Sequence, residues 1–68
     1  MKIRIDNTEV IVFRGATVSD AVRVYSKKLY ADLVNGKIMV YDRFGNRIEP
    51  DGELTEGQII HLKKNESL

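Results

Sequence analysis

Cysteine and tryptophan are absent from this 68-residue chain, proline and histidine occur once each, and no apolar run exceeds the four residues of Val10–Phe13 or Ile38–Tyr41. Each scarcity excludes something. Without cysteine there is no disulfide, thiolate metal site, thiol nucleophile or redox pair. A domain without such staples relies on regular secondary structure and packing, and missing disulfides suit a reducing, cytoplasmic setting. No apolar stretch approaches the ~20 residues of a membrane helix, and "MKIRIDN" lacks the apolar segment of a signal peptide. Charge of one sign is scarce too: 11 basic and 10 acidic residues leave a formal charge of +1. That balance gives no general attraction to nucleic acid or to an acidic membrane.

The composition that remains, 43 % hydrophobic and 31 % charged, is that of a globular chain. At this length folding buries only about 60 % of the unfolded surface, so one small core is expected. "KIRID" alternates Ile3 and Ile5 with polar neighbours, the period of a half-buried strand. "EVIVF" reads as a second strand, joined to the first by a short turn at Asn7 and Thr8. After Gly15 the period changes. Thr17 and Asp20 have capping-box spacing, and Val18, Ala21, Val22, Tyr25 and Leu29 form one helical stripe. Arg23, Lys27 and Lys28 fall on the other side of that helix. "VNGK" reads either as the helix C-cap, with Gly36 left-handed, or as a hairpin turn; on the C-cap reading the helix loosens after Tyr30. "KIMVYD" is a third strand, "RFGN" a turn and "RIE" a short fourth strand stopped by Pro50. "DGELTEG" is a connection with Leu54 pointing inward, and "QIIHLKK" is the last strand. Residues 1–64 are expected to form one domain and residues 65–68 an unordered polar tail.

"KIRID", the helix start "TVSDAV" and the ordered segment "VYDRFGNRIEPDGELTEGQIIHL" together resemble the ubiquitin-like β-grasp proteins. The nearest likeness is to the sulfur carriers of thiamine and molybdopterin synthesis and to TGS domains, and it covers nearly the whole chain. The resemblance implies an α+β fold of ββαβββ order, with a mixed sheet packed on one helix. The carriers of this family act through a C-terminal Gly-Gly that is adenylated and then thiolated. Here "KKNESL" follows Leu62 and no Gly-Gly occurs, which speaks against carrier chemistry.

Catalytic constellations are likewise missing. His61 could pair only with Ser19, Ser26 or Ser67; Ser19 belongs to the first helical turn and Ser67 to the tail, so neither is held as a triad serine must be. Asp51, Glu53 and Glu56 lack the ligand pattern of a calcium loop and read as solvated. The glycines match neither a P-loop nor a dinucleotide fingerprint. Lys27, Lys28, Arg43, Arg47, Lys63 and Lys64 are interleaved with acids rather than gathered into a nucleic-acid surface. No enzyme activity, cofactor or metal is therefore expected.

Strand alternation sends Ile3, Ile5, Val10, Val12, Ile38, Val40, Ile60 and Leu62 to the helix side. It leaves Arg4, Ile11, Phe13, Met39, Tyr41, Ile59 and His61 on the open face, an apolar and aromatic set of the kind that interfaces favour. By the resemblance, Met39 and His61 fall on the family's partner-binding strands. The expected function is a non-enzymatic module that binds a protein partner through this face, as a monomer or with weak self-association. The alternatives are a TGS-like regulatory domain contacting RNA or a nucleotide, and a degenerate relative of the sulfur carriers.

Overall fold

The computed structural model describes residues 1–66. Strands β1 (Lys2–Ile5) and β2 (Thr8–Ile11) lead into helices α1 (Val18–Tyr25) and α2 (Lys27–Val34). Strands β3 (Ile38–Asp42), β4 (Arg47–Ile48) and β5 (Ile59–Lys64) complete the chain. The sheet order is β2-β1-β5-β3-β4. β1 and β5 run parallel at its centre, with Arg4 beside Ile59 and Ile5 beside Ile60, whereas every other pairing is antiparallel. The result is an α+β fold with a mixed, five-stranded sheet and both helices on one face.

The two-residue turn between β1 and β2 is made by Asp6 and Asn7. Asp6 takes φ 53°, a left-handed conformation that aspartate tolerates better than most residues. α1 begins where its capping box predicts. The Thr17 Oγ1 accepts from the Asp20 N–H at 3.3 Å, and the Asp20 carboxylate accepts from the Thr17 N–H at 3.0 Å. The Thr17 N–H and the Thr17 hydroxyl both donate to the Asp20 carboxylate, each at 3.0 Å, and hold the Asp20 carboxyl below the ordinary aspartate value. The next two N–H groups, of Val18 and Ser19, donate to the Gly52 and Pro50 carbonyls, each at 2.9 Å. Those bonds pin the connection after β4 across the start of the helix, and Leu54 is buried in the core as expected.

The expected single helix is two. Ser26 adopts an extended conformation, φ −162° and ψ 122°, and serves both halves at once. Its N–H donates to the Val22 carbonyl at 2.8 Å, closing α1. Its hydroxyl accepts from the Leu29 N–H at 3.2 Å, opening α2. Serine is a strong N-cap, but Tyr25 and Leu29 lie four apart and keep the apolar stripe continuous across the break. That stripe, not the cap, dominated the periodic reading. α2 does not loosen after Tyr30 either: it runs to Val34, with Leu33 buried. The "VNGK" segment is a helix C-cap and not a hairpin, with Gly36 at φ 75°. Glycine takes that conformation without steric cost.

The core is Ile3, Ile5, Val10, Val12, Ile38, Val40 and Ile60 from the sheet side against Val18, Ala21, Val22 and Leu33 from the helices, closed by Ala16 and Leu54. Tyr25 and Leu29 pack against it partly buried, as does Leu62, on the helix side to which the alternation sends it. Asn65 is not loose. Its backbone N–H donates to the Lys37 carbonyl at 2.8 Å and its side-chain amide to the Gly36 carbonyl at 3.0 Å. The tail expectation for residues 67 and 68, including the candidate Ser67, lies outside the described residues.

Candidate interaction face

The face of the sheet away from the helices is built by the same alternation that fills the core. Odd-numbered residues of β1 and even-numbered residues of β2, β3 and β5 point inward, so their neighbours point out. Pairing then fixes which outward residues touch. Arg4 lies between Glu9 on β2 and Ile59 on β5. Tyr41 lies between His61 on β5 and Arg47 on β4. Met39 is opposite Lys63.

The interactions across these pairs give the face its chemistry. The His61 Nδ1 donates to the Asp6 carboxylate at 3.1 Å, an exposed contact that is an ion pair only when the ring is protonated. The left-handed turn at Asp6 thus delivers an acid to β5, the strand beside β1. The Lys63 ammonium sits 5.3 Å from the centre of the Tyr41 ring, within cation–π range. The Tyr41 hydroxyl points to the Met39 thioether at 3.8 Å. Met39, Tyr41, Ile59 and His61 are consequently half-buried rather than fully exposed. They form a continuous apolar and aromatic centre, and the cations Arg4, Arg47 and Lys63 stand around it.

The expected residues do not all belong to this centre. Ile11 and Phe13 are more exposed, at 58 % and 60 %. Ile11 faces outward on the edge strand β2, and Phe13 lies beyond its end. The described part of the tail leaves both uncovered, because Asn65 is tied to Gly36 and Lys37 on the β3 side of the sheet.

Phe44 is a residue the alternation missed. It is 75 % exposed at the turn between β3 and β4, and the Arg43 guanidinium lies 4.9 Å from its ring centre. The Asp42 carboxylate organises the turn by accepting from the N–H groups of Phe44 and Asn46, at 2.8 and 2.9 Å. These bonds, the one from Asn46 foremost, hold the Asp42 carboxyl below its ordinary value. Phe44 borders a shallow hollow of about 260 Å³ whose other wall includes Gly57, Gln58 and Ile59. It therefore extends the open face past Ile59. The available signal was a phenylalanine inside "DRFGN", a turn too short to bury an aromatic ring.

The residues considered for chemistry are occupied structurally. The Ser19 Oγ shares a hydrogen bond with the Thr17 Oγ1, and Ser26 is a cap; both are on the helix side of the sheet, whereas His61 is on the open side. Glu56 accepts from the Lys2 N–H at 2.7 Å. Among the described residues no three His, Asp or Glu side chains are grouped to hold a metal ion, and no helix is long and apolar enough to cross a membrane.

Comparison with known proteins gives no match: no family model, no curated protein and no solved structure is similar enough to this chain to be counted.

Proposed function

We propose that this chain is a small β-grasp protein of the ubiquitin-like kind, a non-enzymatic cytoplasmic module that binds a protein partner through the open face of its sheet. The observation that carries the reading is the centre formed by Met39, Tyr41, Ile59 and His61. A patch with an aromatic, a thioether and a branched aliphatic side chain contributes nothing to the core on the other side of the sheet, and residues of these types are enriched at interfaces. The rim carries both signs, Arg4, Arg47 and Lys63 with Glu9 and Asp6, and complementary charges on a partner would set its orientation and on-rate. The sheet order with parallel β1 and β5 at its centre supports the β-grasp reading.

The test is a double variant, Met39→Asp with Tyr41→Asp, used as bait beside the wild type in the native lysate. The expected outcome is a folded protein that no longer recovers the wild-type partners. Recovery of the same proteins by both baits would overturn the reading.

A further inference from the structure

We propose that Asp6 fixes the tautomer of His61, so that the open face presents the ring Nε2 as a hydrogen-bond acceptor and takes a partner with an N–H or O–H donor at that point. This rests on the open-face reading and deepens it, by naming one group the partner carries and the condition under which that contact fails.

Backbone geometry places the acid. The Asp6 N–H donates to the Ile60 carbonyl at 2.9 Å, one residue past the parallel pair of Ile5 and Ile60, so Asp6 stands beside His61. Its carboxylate lies 3.1 Å from Nδ1. An ionised carboxylate only accepts, so the shared proton sits on Nδ1 whether the ring is neutral or charged. In a neutral imidazole one nitrogen donates and the other accepts, and the hydrogen bond of one sets the role of the other. Nε2 is therefore the acceptor, and among the described residues the bond to Asp6 is the ring's only one.

No neighbouring donor competes for Nε2. The charged and titratable groups on this side of the sheet are Asp6 and Arg4 from β1 and its turn, Glu9 from β2, Tyr41 from β3, Arg47 from β4 and Lys63 from β5. The Tyr41 hydroxyl is turned to the Met39 thioether, and the Lys63 ammonium lies over the Tyr41 ring. A partner that covers Met39, Tyr41 and Ile59 also takes water away from the ring between them. A covered acceptor left without a donor costs affinity, which is why the partner supplies one. Histidine side chains change charge between pH 5 and 8. A protonated ring keeps its bond to Asp6 but carries a hydrogen on Nε2 as well, and it then meets the partner's donor with another donor. Binding through this face therefore weakens in mild acid.

His61 is the only histidine in the chain, so its ring nitrogens are read without ambiguity by ¹⁵N NMR. At about pH 8 the wild type should show a protonated Nδ1 and an unprotonated Nε2. Asp6→Gly removes the carboxylate, and glycine takes the left-handed turn without strain; the ring should then revert to the Nε2–H form that a free neutral imidazole side chain prefers. An Nε2–H ring in the wild type, or a signature unchanged by Asp6→Gly, would overturn the proposal without reference to any partner. The companion measurement uses the lysate proteins that wild-type bait recovers and the Met39→Asp, Tyr41→Asp bait does not. Their affinity for the wild type should fall at least about tenfold on a step from about pH 7.5 to about pH 5.5. His61→Gln, whose carbonyl accepts at both values, should hold them across the step. His61→Leu should bind them at least about tenfold more weakly at the higher pH. Full binding by His61→Leu, or an equal response to acid in wild type and His61→Gln, would overturn the partner assignment. If the two baits recover the same proteins, the open-face reading fails, and the ring signature still upholds or overturns the tautomer.

Discussion

The two faces of the sheet are made by the same alternating strands, yet they differ in what their apolar residues do. On the helix side Ile5, Ile60, Ala21 and Val22 are 0 % exposed and belong to one core shared by the sheet and both helices. On the open side Met39, Tyr41 and Ile59 lie among their sheet neighbours, with the Lys63 ammonium over the Tyr41 ring, and they remain half-accessible. Burying a large aliphatic side chain stabilises by about 1.5–3 kcal/mol, and in a chain of this size that is a large part of the total. The open-face residues cannot contribute at that level while water reaches them. The difference teaches that stability is concentrated on one face, and that the other is free to serve recognition.

The largest expected effect that could break this comparison is at the centre of the covered face. Ile60→Ala should cost about 2–5 kcal/mol, seen as a large drop in the urea midpoint or as outright unfolding. A loss below about 1 kcal/mol would mean that the core is looser than its burial implies. Next in size is the helix entry. Thr17→Ala removes one arm of the capping box and should cost about 1 kcal/mol; Ser26→Ala should cost a similar amount, because Ser26 opens α2. On the open face, Tyr41→Asp should change stability by only about 1 kcal/mol or less, measured in the same urea titration. A cost as large as that of Ile60→Ala would erase the distinction between the faces.

The smallest effect is acidic. Asp20 and Asp42 both have folded values below the ordinary aspartate value of 3.8, through hydrogen bonds from Thr17 and from Asn46 and Phe44. A carboxylate whose value is lowered by folding contributes stability at pH above its unfolded value, and that contribution disappears as pH falls through the folded one. The urea midpoint should therefore decline as pH drops below about 4, and less steeply in Asp20→Asn and Asp42→Asn. An unchanged slope in both variants would remove these hydrogen bonds from the account.

Much of this organisation was legible in the residues. The period-2 pattern of Ile3, Ile5, Val10, Val12, Val40 and Ile60 assigns the covered face, because a strand has only two sides. Thr17 with Asp20 announces the helix start, since the box needs those side chains at that spacing. Ser26 was hidden because the apolar stripe passes through it; the break depends on where α2 must lie to bury Leu33, which is a tertiary demand. Phe44 was hidden because turn residues are read for their backbone and not for their rings. The half-burial of Tyr41 was hidden for a third reason: Lys63 covers it only once β3 and β5 are in register. The polar run after Lys64 gave no sign that Asn65 reaches back to Gly36, a contact made across 29 residues of sequence.

The central claim, that recognition belongs to the open face, is tested most directly by site-specific photo-crosslinking in the cell. A photoreactive residue is placed at Met39 in one variant and at Lys28, on the outer side of α2, in another. The account predicts discrete crosslinked adducts from position 39 that disappear with Tyr41→Asp, and none of them from position 28. Equal adducts from both positions, or none from position 39 in a folded and expressed protein, would contradict it.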